Sequence, residues 1–311
     1  MLQPKALAVV NQVRQVILGK DAVVCKVLMA ILARGHILLE DNPGVGKTTL
    51  ALAFSKAMSL HYNRVQFTPE VMPADVVGFS ALDRQTGEFV YRPGAALCHL
   101  FLADEINRTS AKTQSALLEA MEEGQVTVDG VSHPLPRPFT VIATQNPVGS
   151  AGTQLLPESQ MDRFMICLSM GYPDIREEVK ILQSRQESNP LESVRRVAGP
   201  EEFLAMQQEA GSVFASEAVC EYAATLAAWT RSNEQLRLGV SPRGTLALVR
   251  MAKAAAYLSG KDYVVPENIQ SIFLDVCAHR VLLSSKGRVA GLNARGVLTS
   301  ALREVPAPGV G

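Results

Sequence analysis

The chain has 311 residues, of which 47% are hydrophobic and 19% charged, a globular composition that excludes a disordered or low-complexity chain. Thirty basic residues balance thirty acidic ones, and this zero net charge argues against a protein that coats nucleic acid or anionic membranes. We find no signal-peptide pattern, the most apolar stretch is too short to cross a bilayer, and the five cysteines are widely spaced. We therefore expect buried free thiols, no membrane span and a cytoplasmic location.

Short apolar runs alternate with amphipathic segments over the first two thirds of the chain. The apolar runs predict strands over residues 36–40, 63–67, 99–104, 138–145 and 164–169. Helical patterns cover residues 21–34, 47–59 and 110–123, and the last has Thr109 or Ser110 as its N-cap and Gly124 as its stop. This alternation predicts an α/β domain built on a doubly wound parallel sheet.

Two segments interrupt this alternation and have the pattern of β-hairpins. Residues 79–92 place Gln-Thr-Gly between two short runs, and residues 125–136 contain Asp129-Gly130, a strong hairpin signal. The residues alone leave open whether these hairpins are surface decorations or functional inserts.

Strand patterns nearly vanish after Gly171. Helical patterns follow at residues 174–186, 200–210, 214–231, 242–258, 266–282 and 291–303, separated by turns that contain proline. We therefore predict two domains, an α/β domain over residues 1–170 and an all-α domain over residues 171–311.

A phosphate-binding loop is indicated between the first predicted strand and the helix that follows it. Glycines at positions 44 and 46 let the backbone N–H groups approach a polyphosphate, Lys47 can reach its β- and γ-phosphates, and Thr48 can ligate Mg²⁺. Asp41 stands where the usual pattern has its first glycine, and a fortuitous Gly-Lys turn is the alternative. The candidate nucleotide-binding residues are Asp41, Asn42, Pro43, Gly44, Val45, Gly46, Lys47, Thr48 and Thr49.

Polar side chains follow two later strands. Asp104 ends the strand of residues 99–104 and would hold the Mg²⁺ shell, while Glu105 would orient and deprotonate an attacking water. Asn146 follows the strand of residues 138–145 and could hydrogen-bond the same water or the γ-phosphate. The alternatives are solvated acids at a strand end and, for Asn146, a cap before Pro147.

Two arginines complete the candidate site. Arg163 precedes the last predicted strand and could point at a neighbouring subunit as an arginine finger. Arg243 lies in the first turn of a helix capped by Ser241, from where it could touch the γ-phosphate. Taken singly, each arginine is more often a surface ion-pair partner.

These motifs together resemble the MoxR-type AAA+ ATPases over about residues 1–303. The resemblance rests on Pro-Gly-Val-Gly-Lys-Thr, Leu-Ala-Asp-Glu-Ile-Asn-Arg, Ala-Thr-Gln-Asn-Pro and Leu-Pro-Glu-Ser-Gln-Met-Asp-Arg-Phe, with Gln-Ser-Ala-Leu-Leu-Glu-Ala-Met-Glu-Glu-Gly-Gln-Val-Thr between the second and third. It implies a P-loop NTPase domain followed by a helical lid, with a Walker A at residues 41–48 and a Walker B at Asp104 and Glu105. It also implies a sensor 1 at Asn146, an arginine finger at Arg163 and a sensor 2 at Arg243.

The resemblance further implies that Gly19, in Ile-Leu-Gly, lies near adenine and that both hairpins face the pore of a ring. The chain departs from the family pattern at residues 94–95 and 152–158, and these departures leave the motif positions named above intact.

The function that the resemblance implies is that of an Mg·ATP-driven hexameric machine that remodels client proteins or inserts metal cofactors with a separate von Willebrand A-domain partner. A nucleic-acid motor is disfavoured because the hairpins balance basic side chains against Asp83, Glu88 and Asp129. A regulatory ATP switch with little turnover is the other alternative.

Overall fold

A computed structural model describes residues 3–146, 156–187 and 189–309, and their helices and strands follow the predicted order. The strands are β1 (Ile37–Glu40), β2 (Tyr62–Gln66), β3 (Gly78–Leu82), β4 (Phe89–Pro93), β5 (Leu100–Asp104), β6 (Gln125–Val128), β7 (Val131–Pro134), β8 (Thr140–Gln145), β9 (Ile166–Leu168), β10 (Leu236–Leu238) and β11 (Leu282–Leu283). The helices are α1 (Pro4–Arg14), α2 (Asp21–Leu32), α3 (Lys47–Ala57), α4 (Pro73–Val77), α5 (Ala111–Glu123), α6 (Glu158–Met161), α7 (Ile175–Glu187), α8 (Pro200–Ser212), α9 (Glu217–Ser232), α10 (Pro242–Leu258), α11 (Pro266–Cys277), α12 (Ser285–Val289) and α13 (Ala294–Glu304).

The five predicted strands form one parallel sheet in the order β2-β5-β8-β1-β9. Successive side chains of a strand point to opposite faces. Ile37 and Leu39 therefore enter the core on one face with α1 to α3, while Leu38 packs on the other face with Phe101 and α5. Since the strands are parallel, their carboxyl ends meet at one edge, and the polar residues that follow β5 and β8 are brought together there.

Both predicted hairpins are confirmed. Strand β3 pairs antiparallel with β4, and β6 pairs antiparallel with β7 through Asp129 and Gly130, which both have positive φ as a type I′ turn requires. The rings of Tyr91 in β4 and His133 in β7 stack with centroids 3.7 Å apart. The two hairpins therefore contact each other.

The region after β9 is helical, with two corrections. Strands β10 and β11 form a short antiparallel pair where only helices were predicted, and the helix predicted over residues 266–282 ends at Cys277. The chain leaves the helix because the buried guanidinium of Arg280 donates to the Asp162 carboxylate at 2.8 Å and to the Met165 carbonyl at 3.2 Å. These bonds hold the segment after α11 against the approach to β9.

The helical region and the sheet bury one continuous apolar core, to which α8, α10 and α11 contribute beside α1 to α3. The side-chain amide of Gln207 in α8, also buried, donates to the carbonyl of Ile31 in α2 at 2.7 Å. The division of the chain between residues 170 and 171 stays a prediction. Among the described helices, none combines the length and hydropathy that spanning a bilayer requires.

The five cysteines are free thiols. Cys277 is buried as expected, Cys25 and Cys167 are half-buried, and Cys98 is buried although its neighbours give no such signal. Cys220 on α9 is exposed, so the expectation of burial is wrong for that residue.

Candidate active site

The phosphate loop has the conformation that its glycines allow. Gly44 and Gly46 have φ of +87° and +97°, a region that side chains with a Cβ rarely adopt, and α3 starts directly after Gly46. The first N–H groups of α3 have no partner within the helix, so they can bind an anion at this end. The loop thus has the geometry of a phosphate site.

Lys47 is buried at the start of α3, and its Nζ donates to the Asp41 carbonyl oxygen at 2.7 Å. Burial lowers the pKa of Lys47, and the nearby acidic groups Asp41, Asp104 and Glu105 partly offset that effect. A lysine desolvated among carboxylates is poised to pair with an incoming phosphate.

The two carboxylates that follow β5 are joined through Thr144 of β8. The Thr144 hydroxyl donates to Asp104 Oδ1 at 2.6 Å and accepts from the Glu105 backbone N–H at 2.8 Å. Glu105 has φ of +58°, which is left-handed and costs a non-glycine residue about 1–2 kcal/mol. The sheet therefore holds Glu105 in a strained conformation at the edge, as is common at functional sites.

The Glu105 carboxylate is held from both sides. Its Oε1 accepts from Asn146 Nδ2 at 3.1 Å, and its Oε2 accepts from Arg108 Nη1 at 2.7 Å. Burial, the largest single influence, raises the pKa of Glu105, but the hydrogen bonds from Arg108 and Asn146 and the charge of Arg108 outweigh it, so the net pKa is lowered. Glu105 is therefore ionised at neutral pH and can accept a proton.

Asp104 also pairs with Arg64 of β2, whose Nη2 and Nε donate to Oδ2 at 2.7 and 3.2 Å. Asp104 lines a cavity of about 380 Å³ together with Thr48, Lys47, Glu105 and Asn146. Carboxylate and hydroxyl oxygens are the ligands that Mg²⁺ takes from proteins, which bind it through few side chains and the substrate phosphates. Thr48 and Asp104 therefore fit a magnesium ion at this cavity.

A second cavity, of about 430 Å³, adjoins the phosphate loop and shares Gly44, Gly46 and Thr49 with the first. Its wall includes Ile17 and Leu18, the segment expected near adenine. Gly19 is not among the lining residues of this cavity, and its predicted place near adenine stays a prediction. A Cβ at position 19 would lie 1.7 Å from Glu177 Oε1 of α7. A glycine is required at position 19 because the Glu177 side chain approaches closely and because the backbone has a φ of +71°.

Asp41 and Asn42 are absent from the walls of both cavities, although the sequence pattern groups them with the nucleotide-binding residues. The Asp41 side chain turns away from the cavities and accepts hydrogen bonds from residues 169–171, after β9.

Arg163 and Arg243 lie together and apart from the phosphate loop. Both donate to the carboxylate of Glu122 at the end of α5, and Arg163 Nη1 also donates to the Leu118 carbonyl at 3.0 Å. They line a cavity of about 420 Å³ that also includes Arg34 and Arg250. In the described residues, neither arginine lines the phosphate cavity of its own chain. Arg243 therefore lies at a separate cavity in this structure, and its contact with the γ-phosphate stays a prediction.

Sequence reasoning missed four residues of this arrangement, namely Arg64, Arg108, Thr144 and Glu122. Arg108 and Thr144 stand inside the quoted motifs and could have been noticed as polar neighbours of the candidate catalytic residues. The partners of Arg64 and Glu122 are set by the tertiary fold, and no local pattern indicates them. The departure at residues 152–158 falls largely in residues 147–155, which lie outside the described residues.

Residues 36–166 match the family described as "ATPase family associated with various cellular activities (AAA)", and residues 228–293 match an AAA lid domain. The chain is 44% identical to the uncharacterized protein YeaC of Bacillus subtilis over 99% of this chain and 96% of that protein. It is 34% identical to chaperone MoxR1 of Mycobacterium tuberculosis over 96% of this chain and 81% of that protein. A crystal structure of a candidate ATPase from Cytophaga hutchinsonii is similar with a TM-score of 0.91 and 34% identity, over 98% of this chain and 96% of that chain.

Proposed function

Since the chain belongs to the MoxR family of AAA+ ATPases, we propose that it hydrolyses Mg·ATP between neighbouring subunits of a ring and uses the energy to remodel client proteins. The observation that carries this proposal is the convergence of Lys47, Asp104, Glu105 and Asn146 on one cavity at the carboxyl edge of the sheet. These groups have the chemistry that phosphoryl transfer to water needs, because they combine charge stabilisation with a positioned base.

In the proposed mechanism, the α3 N–H groups and Lys47 bind the β- and γ-phosphates of ATP. Glu105 accepts the proton of the attacking water, and Asn146, which contacts Glu105 Oε1, orients that water towards the γ-phosphate. Thr48 and Asp104 hold Mg²⁺, which neutralises charge on the phosphate oxygens when it is bound. The Thr144 hydroxyl bonds both to the Asp104 carboxylate and to the Glu105 N–H, and it thereby fixes these two residues relative to each other.

Arg163 acts in this proposal as an arginine finger and Arg243 as a sensor 2, both towards the γ-phosphate held by the next subunit. Support comes from their position, since both contact Glu122 and neither lines the phosphate cavity of its own chain in the described residues. An arrangement in which each subunit completes the site of its neighbour is heterologous, and such an interface forms a ring when the rotation between subunits closes. We propose a hexamer.

The hairpins are the proposed contact with the client. Phe79, Leu82 and Phe89 on the first hairpin and Val131 on the second are large apolar side chains that remain exposed. Exposed apolar clusters on a protein surface favour a protein ligand over a phosphate backbone. The stacking of Tyr91 on His133 couples the hairpins, so they would move together.

The Mycobacterium tuberculosis relative is named a chaperone, which agrees with a client-remodelling role for this chain. We extend the proposal to the maturation of protein complexes, including insertion of metal cofactors, with a separate von Willebrand A-domain protein as partner. A pull-down with Glu105→Gln, a variant expected to retain ATP, would identify the client and the partner protein.

Substitution of Glu105 by Gln tests the catalytic part of this proposal. Glu105→Gln keeps the shape of the side chain and removes the base, so ATP binding is retained while turnover falls about 10²–10⁴-fold. Glu201→Gln, an exposed position in α8, is the matched control and retains turnover. Phosphate release by Glu105→Gln at the wild-type rate would contradict the role of Glu105.

A further inference from the structure

Asp41, which replaces the first glycine of the usual phosphate-loop pattern, is buried, and its carboxylate accepts three hydrogen bonds. Its Oδ1 accepts from Ser169 Oγ at 2.8 Å and from the Gly171 N–H at 3.1 Å, and its Oδ2 accepts from the Met170 N–H. A glycine at position 41 would leave all these donors without that acceptor. The carboxylate at position 41 therefore has hydrogen-bond partners in residues 169–171, which the consensus pattern of the phosphate loop does not predict.

The three donors lie at the junction between the sheet and the helical region. They follow β9 directly, Gly171 has a φ of +62°, and α7 begins at Ile175. Met170 and the next residues, Tyr172 and Pro173, line the cavity beside the phosphate loop. The junction thus forms one wall of the site in which the nucleoside would lie.

Asp41 also contacts the phosphate-binding group through its backbone. Its carbonyl oxygen accepts from Lys47 Nζ at 2.7 Å, and its N–H donates to the Gln145 carbonyl on β8 at 3.3 Å. Met170 approaches the loop from the other side, since a Cβ on Gly46 would lie 3.9 Å from Met170 Cε. One residue therefore connects Lys47, the sheet edge and the junction.

We infer that Asp41 is a positioning residue that links the phosphate loop to the junction, so that phosphate binding at Lys47 is transmitted to the helical region. This inference rests on the proposed nucleotide-binding function. Lys47 must leave the Asp41 carbonyl to reach a phosphate, and the movement is carried by the same residue whose carboxylate holds residues 169–171.

Hydrogen exchange on the full-length protein tests the link in two arms. Without nucleotide, Asp41→Gly, which restores the consensus glycine, exchanges the Met170 and Gly171 amides about tenfold faster than wild type because a charged acceptor is lost. Asp41→Asn keeps the size but replaces one acceptor by a donor, and exchanges at an intermediate rate. Asn293→Gly is the control, since it removes another side-chain acceptor of a backbone N–H, that of Gly296, far along the chain.

In the second arm, ADP is added and exchange is followed over residues 174–180, at the start of the helical region. In wild type and in Asn293→Gly, saturating ADP slows hydrogen exchange over residues 174–180. In Asp41→Gly, saturating ADP changes the exchange rate of these residues less than about twofold. Should Asp41→Gly fail to fold, Ser169→Ala removes one of the three donors and weakens the ADP response in part.

Unchanged protection of Met170 and Gly171 in Asp41→Gly, or an equal ADP response in Asp41→Gly and wild type, would overturn the inference. The two levels of the proposal fail differently. ADP binding by wild type without any response over residues 174–180 contradicts the link alone, whereas absence of ADP binding, measured by calorimetry, contradicts the proposed function as well.

Discussion

Thr144→Val is expected to lower turnover strongly although Thr144 touches neither ATP nor water in the proposed mechanism. The Thr144 side chain is fully buried and its hydroxyl serves both carboxylate positions, with bonds of 2.6 Å to Asp104 and 2.8 Å from the Glu105 N–H. Valine leaves the Glu105 N–H unpaired, at a cost of about 1–3 kcal/mol, and removes a bond to a charged acceptor worth about 1.5–3 kcal/mol. If about 3 kcal/mol of this is lost from the transition state, kcat falls about 100-fold.

The assay is phosphate release at saturating ATP, with thermal unfolding measured in parallel. Thr140→Val is the matched control, because Thr140 lies on the same strand and its buried hydroxyl has no hydrogen-bond partner among the described residues. Thr140→Val therefore retains kcat within about twofold and the stability of the wild type or better. Wild-type turnover in Thr144→Val, or equal damage from both substitutions, would refute the role of the Thr144 hydroxyl.

Three further predictions follow from the geometry. Arg108→Met removes the cation that lowers the pKa of Glu105, so the acid limb of the kcat/KM profile, where the base becomes protonated, moves to higher pH; an unmoved limb would count against Glu105 as the base. Gly19→Ala loses about 1–2 kcal/mol of unfolding free energy through its left-handed φ. Gly211→Ala, near the end of α8, gains about 0.5–1 kcal/mol because a Cβ there meets no described atom within 4 Å, and equal effects in denaturant titrations would contradict this expectation. Phe89→Ser, on the hairpin, weakens retention of an unfolded apolar polypeptide at least several-fold while Thr86→Ser at the turn does not, and equal retention by both would remove the hairpin from client binding.

The clustering of the candidate residues at the carboxyl edge of the sheet could be predicted from the sequence because its signals are local. Glycines before Lys47, paired acids after an apolar run and an asparagine after the next run each mark a strand end, and parallel strands bring such ends together. The hairpin turn at Asp129 is likewise encoded in two residues.

The contacts that set the properties of these groups could not be predicted in this way. Glu105 has its pKa lowered by Arg108, and Asp104 is paired with Arg64 on a neighbouring strand, which depends on strand order rather than on any motif. Similarly, the sequence shows Asp41 only as a departure from the glycine pattern of the loop. The fold brings residues 169–171 within hydrogen-bond distance of its carboxylate.

The position of Arg163 and Arg243 relative to the phosphate loop also could not be predicted from the sequence. From the sequence we expect only that Arg243 could touch the γ-phosphate, whereas in the structure Glu122 of α5 binds both Arg163 and Arg243 at a separate cavity. The sequence already suggests a neighbouring subunit for Arg163, but only the three-dimensional arrangement places Arg243 beside it.

A subunit-mixing experiment tests the central claim, that the active site is completed by a neighbouring subunit. Glu105→Gln lacks the base but keeps the arginines, whereas the double variant Arg163→Ala, Arg243→Ala keeps the base but lacks the arginines. Each protein alone is expected to be inactive. In an equal mixture, up to about a quarter of the sites combine an intact Glu105 with arginines from the next subunit. The account predicts that phosphate release recovers towards that fraction of the wild-type rate, and a mixture as inactive as its components would contradict it.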